Sequence, residues 1–302
     1  SFQLHWARQA HFEAAAILNI ADDHLDWHGS FDAYADAKFS ILDRAEIAIL
    51  NADDAPIVTR ANRFTGRKVF FSLDTPAPGE IGVVEELLVD RAFVADPQQA
   101  SMICELADIV PTVPHNVSNA LAAAALARAI NVPHEAIQRA LHDFRPGRHR
   151  IETVHESAGI AWIDDSKATN PHAAAASLMS HLSVVWIAGG LAKGADMDAM
   201  VERCAPRMKA AILIGTDRAL IEAALIKHAP DLPRILIDAP SDYVRGGASN
   251  SLMESIVTAA ATVAQSGDAV LLAPACASMD QFVSYADRGD RFAAAVRKVA
   301  AH

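Results

Sequence analysis

The hydrophobic pattern is most regular in the second half of the chain. Apolar runs recur there at short intervals, and each gap between them carries a helical pattern. The runs are Ile160–Ile163, Val184–Ala188, Ala211–Ile214, Arg234–Ile237 and Ala269–Ala273. Strands that alternate with helices form a parallel sheet with helices on both faces. This half is therefore predicted to be a Rossmann-like, doubly wound α/β domain.

The first half has a less regular pattern. Buried strands are predicted at 14–20 and 46–51, with a helix at 30–44 between them and Ser30 as its N-cap. An alanine-rich helix is predicted from 117 to 130. Shorter β-like pieces predict a small antiparallel excursion before that helix: Lys68–Ser72, Gly82–Val89 and Arg91–Val94. The first half is thus predicted to be a mixed sheet with helices.

A basic break separates the two halves. The string "RPGRHR" at 145–150 combines proline and glycine with three arginines and a histidine. Such exposed breaks are typical of domain boundaries. We therefore assign one domain to residues 1–147 and a second to residues 148–302.

Composition narrows the function classes. The 302 residues are 52% hydrophobic and carry a formal net charge of −11, so two ordinary cores are expected and nucleic acid is not an expected partner. Three separated cysteines indicate a reducing, cytoplasmic location rather than a disulfide framework or a structural zinc site. Since the apolar runs stay below membrane-spanning length, no membrane insertion is expected.

The densest polar chemistry lies at a strand-to-helix junction, "DDSKATNPHAAAA" from Asp164 to Ala176. Ligands bind at the carboxyl ends of strands in such sheets, and a helix N-terminus favours anions. Lys167 adds a cation, Thr169 adds a hydroxyl, and Asp164 or Asp165 could accept from ribose hydroxyls. An N-cap with solvated charges is the simpler alternative.

Two further strand ends carry similar signals. "AGGLAKGAD" places Gly189, Gly190 and Gly194 around Lys193, although it is not a Walker loop. "APACASMDQF" ends the last strand with Ser278 before a helix. Each string is weak evidence alone. Together the three strand ends predict a pocket for a small dicarboxylate or a phosphate.

Several polar side chains in the first half can be explained by capping, packing or surface positions, without a functional role. His24 and His28 are four residues apart, but the HExxH pattern of zinc sites is absent because Leu25 replaces the glutamate. A capping or packing role is the commoner use of such histidines. By the same reasoning Lys38 alone would be a surface lysine, and Asn116 and Asn119 would be helix caps.

Taken in order, several strings resemble the Mur ligases, the ATP-dependent amino-acid-adding enzymes of peptidoglycan synthesis. The strings are "SFQL", "LNIADDHLD", "YADAKFSIL", "NADD", "HNVSNALAAAALA", "GRHRIE", "DDSKATNP", "AGGLAKGAD" and "PACASMDQF…DRGDRF". They cover nearly the whole chain, and "DSKATN" and "CASMDQF" are the most specific. The resemblance implies the later part of a central ATPase domain followed by a C-terminal domain. A UDP-binding domain and the ATP P-loop should precede them, so we expect a piece of a longer protein that is inactive alone.

The resemblance also implies roles for residues that bind nucleotide and metal. His24 matches a magnesium ligand, and Lys38 matches a lysine that CO₂ carbamylates so that its new oxygens help to hold Mg²⁺. Asn119 matches an adenine contact, with Asn116 beside it. Arg150 and Asp165 match residues that reach the phosphate and the ribose of ATP from the second domain. Domain closure about a hinge near residues 146–147 is then expected.

The remaining implied roles concern D-glutamate. Thr169, Lys193 and Ser278 match contacts to that amino acid, and Tyr285 stands where relatives often have phenylalanine. Lys167 is expected to face phosphate. The implied catalytic lysines are Lys38, Lys167 and Lys193.

The implied reaction joins D-glutamate to UDP-N-acetylmuramoyl-L-alanine at the expense of ATP, through an acyl phosphate. Its partners are these small molecules, and we expect a monomer. Two alternatives stay open: a folylpolyglutamate synthetase-like ligase, which shares the architecture, and a fragment that only binds.

Overall fold

The computed structural model describes residues 2–7, 9–21, 25–247 and 250–299. The chain divides into two units, Ser1–Arg145 and Pro146–His302, called unit 1 and unit 2 below. None of the helices in the described residues is long and apolar enough to cross a membrane.

The described part of unit 1 contains a six-stranded sheet, whose strands follow one another in space as they do in sequence. They are β1 (Phe12–Ile17), β2 (Ala45–Asn51), β3 (Arg67–Phe71), β4 (Ile81–Val84), β5 (Leu87–Asp90) and β6 (Ser101–Glu105). Strands β1 to β4 run parallel, and β4, β5 and β6 pair antiparallel. An antiparallel excursion is confirmed, but the predicted piece Lys68–Ser72 does not belong to it, because it overlaps β3, which pairs parallel with both of its neighbours. The predicted strand Gly82–Val89 is the two arms of a hairpin, and residues 91–95 form bends.

Helices of unit 1 lie around this sheet. They are α1 (Phe2–Trp6), α2 (Leu25–His28), α3 (Phe31–Phe39), α4 (Ala55–Arg60), α5 (Pro114–Ala129) and α6 (His134–Asp143). Ser30 is confirmed as the N-cap of α3, because its Oγ accepts a hydrogen bond of 3.1 Å from the Ala33 amide. The prediction of one helix over 30–44 was too long, since α3 ends at Phe39 and a short 3₁₀ turn follows.

Both faces of this sheet are buried, because side chains alternate along each strand. On β2, Ala48 and Leu50 belong to a core with Tyr34 of α3. Ile49 points to the opposite core, which it shares with Leu121 of α5. The helices α3 and α5 therefore pack on opposite faces of the same sheet.

Unit 2 contains a second six-stranded sheet in its described residues. Its strands are β7 (Glu152–Ser157), β8 (Ile160–Asp164), β9 (Val184–Gly189), β10 (Met208–Ile214), β11 (Arg234–Leu236) and β12 (Ala269–Leu272). The spatial order is β11-β10-β9-β12-β8-β7. All neighbours pair parallel except β7, which is antiparallel to β8 at the edge. The sequence analysis missed β7 because "ETVHES" has no apolar run.

Helices cover both faces of the second sheet. They are α7 (Pro171–Met179), α8 (Asp198–Cys204), α9 (Arg218–His228), α10 (Ser251–Val263) and α11 (Tyr285–Val299). Every residue of β9 is buried. Val185 and Ile187 of that strand share a core with residues of α10 and α11. The predicted α/β class is confirmed, with two mixed sheets in place of one mixed and one fully parallel sheet.

Candidate functional site

Three loops leave neighbouring parallel strands at one edge of the unit 2 sheet. The junction loop (165–170) follows β8, the glycine loop (190–195) follows β9, and the serine loop (273–284) follows β12. Since β12 lies between β8 and β9, the serine loop is the central one of the three. The carboxyl ends of parallel strands are where ligands bind in open α/β sheets.

Backbone hydrogen bonds join the junction loop to the serine loop. The Asp165 amide donates to the Leu272 carbonyl at 2.9 Å, and the Ala275 amide donates to the Ala168 carbonyl at 3.0 Å. These bonds extend the β8–β12 pairing past the ends of both strands. Thr169 and Ser278 are therefore carried by two loops that are bonded together.

The glycine loop is bonded to the serine loop from the other side. Leu191 and Ala277 exchange two backbone hydrogen bonds, each 2.9 Å long. Gly190 makes this approach possible: its φ is +134°, and a Cβ there would lie 2.2 Å from the Ala277 carbonyl oxygen. The three predicted strand ends therefore form one bonded edge, and Lys193 and Ser278 lie on adjoining loops.

The charged side chains of the junction loop do not cap α7, the helix that follows it. Asn170 is the N-cap of α7, where its Oδ1 accepts 2.9 Å from the Ala173 amide, and Pro171 follows in the first turn. The alternative interpretation, in which the junction polar groups serve as the cap, thus applies to Asn170. The Lys167 ammonium instead lies 4.1 Å from the centre of the Tyr285 ring, a cation–π contact.

The Asp164 carboxylate is hydrogen-bonded to His149 within unit 2. Its Oδ2 lies 2.7 Å from His149 Nδ1, and its Oδ1 accepts from the Ser166 amide at 2.9 Å. Burial raises the pKa of Asp164, against the opposing effect of His149. The first of the two possible ribose acceptors is therefore occupied, which leaves Asp165.

His149, Asp164 and Glu152 lie close enough to suggest a metal site. However, Glu152 Oε2 accepts a 2.9 Å bond from the His149 amide, and Glu152 Oε1 lies 3.8 Å from Arg148 Nε. Gly289 closes the cluster, since a Cβ at that position would lie 2.2 Å from His149 Nδ1. Hydrogen bonds within the protein therefore explain why these three side chains lie close together.

Asp165 is 8% exposed. Burial raises the pKa of its carboxyl to about 6, although the Ile151 amide and the Arg150 guanidinium each act to lower it. Arg150 itself is exposed. Carboxyls with strongly raised pKa values cluster at binding and catalytic sites, which makes Asp165 a candidate site residue.

Arg288 of α11 is a site residue that the sequence analysis missed. Its guanidinium is fully buried and donates from Nε to Ser166 Oγ at 2.9 Å, and from Nη1 to the Cys276 carbonyl at 3.2 Å. Desolvation lowers its pKa to about 10. It thus ties the junction loop to the serine loop. The available signal was its place on the apolar face of "DRGDRFAAAV", four residues before Phe292.

The predicted site residues of unit 1 lie apart from this edge in sequence. Lys38 is half-buried; its Nζ donates to the Asn19 carbonyl at 3.0 Å and lies 4.8 Å from the centre of the Tyr34 ring. Lys38 thus stays partly exposed, as a surface lysine does, and in addition makes two contacts within unit 1. Its predicted role in metal binding stays a prediction. His24 lies outside the described residues, so its predicted role is neither supported nor contradicted.

The two asparagines lie in the first turns of α5 and are not its N-cap. Val113 holds that position. Asn116 Nδ2 donates to the Pro111 carbonyl at 3.1 Å, and Asn119 is exposed. The capping interpretation is wrong for both. Their nucleotide-binding role, with Asn119 as the adenine contact, stays a prediction.

The chain has two α/β units, and the second carries lysine and hydroxyl side chains on bonded loops at the carboxyl ends of its parallel strands. These features define an α/β protein with a candidate ligand-binding edge. Family models match both units: "Mur ligase middle domain" over residues 1–127 and "Mur ligase, glutamate ligase domain" over residues 149–276. The chain belongs to the Mur ligase family.

Similar proteins agree with this assignment. The UDP-N-acetylmuramoylalanine–D-glutamate ligase of Thermobifida fusca is 50% identical over an alignment of 304 positions, which covers 99% of this chain and 64% of that relative. A pseudomurein peptide ligase type C from Methanothermus fervidus has a TM-score of 0.66 at 17% identity, over 95% of this chain and 63% of that one.

A bifunctional folylpolyglutamate synthase/dihydrofolate synthase from Yersinia pestis superposes with a TM-score of 0.56 at 18% identity, over 95% of this chain and 62% of that one. At such low identity the two structural likenesses show the fold alone. A ligase of the folylpolyglutamate type therefore has the same fold as this chain.

Proposed function

We propose that this chain belongs to an ATP-dependent ligase that adds D-glutamate to UDP-N-acetylmuramoyl-L-alanine in peptidoglycan synthesis. The observation that carries the proposal is the bonded edge of unit 2, where the loops bearing Thr169, Lys193 and Ser278 are held together by backbone hydrogen bonds. One ammonium and two hydroxyls suit the two carboxylates of glutamate. The 50% identity to a D-glutamate ligase supports the choice of amino acid.

The proposed reaction has two steps. ATP transfers its γ-phosphoryl group to the terminal carboxylate of UDP-N-acetylmuramoyl-L-alanine, which gives an acyl phosphate and ADP. The amine of D-glutamate, after losing a proton, then attacks the acyl carbon, and the tetrahedral intermediate expels phosphate to leave an amide. Positioning and charge stabilisation supply most of the catalysis in such transfers.

Different residues of unit 2 are proposed to bind D-glutamate and to stabilise the transferred phosphoryl group. Lys193, Thr169 and Ser278 would hold the carboxylates of D-glutamate so that its amine faces the acyl carbon, with Tyr285 beside them. Lys167 would stabilise the charge on the transferred phosphoryl group. Its ammonium lies over the Tyr285 ring, so one aromatic side chain adjoins both proposed binding regions.

Nucleotide binding is proposed for Asn116 and Asn119 of unit 1 and for Arg150 and Asp165 of unit 2. The exposed Arg150 can reach a phosphate. Burial raises the pKa of Asp165 to about 6, so near neutral pH its carboxyl is mainly ionised and can accept from a ribose hydroxyl.

We propose that His24 and a carbamylated Lys38 hold Mg²⁺. Reaction of the neutral Lys38 amine with CO₂ forms an N–C bond and releases one proton. The carbamate keeps one N–H, so the bond to the Asn19 carbonyl can persist while both new oxygens point elsewhere. Hard oxygen ligands suit Mg²⁺. When bound, Mg²⁺ would offset the charge of the ATP phosphates.

We further propose that residues 1–147 belong to the ATP-binding central domain, that residues 148–302 form the C-terminal domain, and that the protein acts as a cytoplasmic monomer. The matches to the middle-domain and glutamate-ligase-domain models support the two assignments.

The test is phosphate release by the complete gene product with ATP, UDP-N-acetylmuramoyl-L-alanine and an amino acid. Release that depends on D-glutamate, and not on L-glutamate, is expected. Activity with L-glutamate and a folate acceptor would instead support the folylpolyglutamate synthetase-like alternative. Binding of D-glutamate without any phosphate release would leave only the binding role.

A further inference from the structure

A fourth loop lies beside the glycine loop, and it was not among the strand ends singled out from the sequence. It follows β10 and comprises residues 215–217, "GTD". Asp217 is the N-cap of α9, a position where an aspartate normally accepts from its own helix. Within the described residues, its side chain makes no such capping bond.

The Asp217 carboxylate is directed to the neighbouring loop instead. Its Oδ2 accepts a 2.8 Å hydrogen bond from the Ala192 amide, one residue before Lys193. The Asp217 amide donates to the Gly190 carbonyl at 3.0 Å. One residue therefore holds the glycine loop at two points.

Lys193 needs such support. Its φ is +52°, in the left-handed region that ordinary residues avoid, yet the residue is exposed. Burial of its own side chain therefore does not hold this conformation. The fixed points next to it are Ala192, which is 6% exposed and bonded to Asp217, and the turn that the Ala195 amide closes on the Ala192 carbonyl at 3.0 Å. Strain of this kind persists where the surroundings impose it.

The serine loop holds the 215–217 loop in turn. Asp280 Oδ2 accepts a 2.9 Å hydrogen bond from the Thr216 amide. Gly215 permits this approach, since a Cβ there would lie 2.7 Å from Asp280 Oδ2 of the serine loop and 2.5 Å from the Gly190 Cα of the glycine loop. Asp217 is thus joined both to the loop of Lys193 and, through its neighbour, to the loop of Ser278.

We propose that Asp217 is a positioning residue for the amino-acid substrate. Its carboxylate fixes the backbone of the glycine loop so that Lys193 presents its ammonium to a carboxylate of the incoming dicarboxylic amino acid. This inference rests on the proposed function. It assigns Asp217 no contact with substrate.

Two explanations for an effect of Asp217 predict opposite changes in substrate affinity. Asp217 could act by positioning the glycine loop, or it could act through its negative charge. Asp217→Ala removes the acceptor and leaves the buried Ala192 amide without it, so Lys193 loses its fixed position. Asp217→Asn removes the charge but keeps a carbonyl oxygen that can accept the same bond. If Asp217 mattered through its negative charge, both variants would bind the anionic substrate more tightly.

The experiment measures steady-state phosphate release by the complete gene product. For Asp217→Ala we expect the KM for D-glutamate to rise 10- to 100-fold, the KM for ATP to stay within twofold, and Asp217→Asn to stay within a fewfold of wild type. The matched control is Asp238→Ala in the same unit, which removes an exposed ion pair with Arg218 and should change neither KM.

Hydrogen–deuterium exchange tests positioning without activity. Residues 191–195 should exchange faster in Asp217→Ala and remain protected in Asp217→Asn, with equal unfolding temperatures within a few degrees. Unchanged exchange, an unchanged KM in Asp217→Ala, or equal defects in both variants would overturn the proposal. A wild-type protein with no D-glutamate-dependent phosphate release would instead refute the proposed function, while the exchange result would still decide whether Asp217 holds the loop.

Discussion

His149 Nδ1 lies 2.7 Å from Asp164 Oδ2, and both side chains are buried in unit 2. The pair connects the segment that carries Arg150 to the end of β8, where the junction loop begins. Two candidate nucleotide-binding residues, Arg150 and Asp165, therefore directly follow the two members of one buried pair along the chain. Holding the pair together holds both residues in place.

Replacing His149 should show how much unit 2 depends on this pair. His149→Ala leaves the Asp164 carboxyl buried without its partner, which should cost about 2 to 4 kcal/mol of unfolding free energy. Urea denaturation at pH 7 measures the loss. The control is His142→Ala, whose exposed ion pair with Asp108 should contribute less than about 1 kcal/mol. Equal losses in the two variants would contradict the structural role of His149.

The stability of unit 2 should depend on the ionisation of Asp165. The pKa of Asp165 is raised by burial to about 6, from 3.8. A raised folded-state pKa stabilises the fold fully below the unfolded value, and that contribution is lost as pH rises through 6. The difference corresponds to about 3 kcal/mol.

Asp165→Asn removes this titration and isolates its effect. The unfolding free energy of the variant, relative to wild type, should therefore increase between pH 4 and pH 7. Denaturation curves at several pH values measure it. A difference that stays constant with pH would show that Asp165 ionises normally in the folded protein.

Gly190→Ala should disrupt the contact between the glycine and serine loops. The new Cβ would meet the Ala277 carbonyl oxygen at 2.2 Å, so the loops must separate. Binding of D-glutamate, measured by calorimetry, should fall at least tenfold. Gly267→Ala is the matched control: its φ is also positive, at +94°, but no described atom lies within 4 Å of the added Cβ. It should lose stability of about 1 kcal/mol and keep its binding.

Lys38→Ala should abolish most phosphate release by the complete gene product, and short-chain carboxylates should restore part of it. The reason is that a free carboxylate can supply the oxygens that the carbamate would have provided. Lys38→Arg keeps a cation but cannot form a carbamate, so it should be equally impaired. Normal activity in Lys38→Arg would show that charge alone suffices and would refute the carbamate.

The strand pattern of unit 2 could be predicted because its core strands are unbroken apolar runs. β7 and β6 were missed since their residues alternate or mix polarity. The candidate site was predicted only in part. The strand ends predict Lys167, Thr169, Lys193 and Ser278. The residues that hold these loops in place are distant from them in sequence.

Arg288 bonds to Ser166 over a sequence separation of 122 residues, and Asp217 bonds to Ala192 over 25. No local pattern distinguishes a helix-capping aspartate from one that supports a neighbouring loop. The roles of Lys38 and His24 likewise came from resemblance to the Mur ligases, because spacing alone favoured plain structural interpretations for both.

The position of β12 has a consequence for biosynthesis. Of the described strands of unit 2, β12 is translated last, yet it lies between two strands made about 80 to 110 residues earlier. Until residues 269–278 are translated, β8 and β9 have no shared neighbour to align them. The polar edge should therefore assemble only after β12 has been translated, and nascent chains that stop short of this strand should be substrates for chaperones.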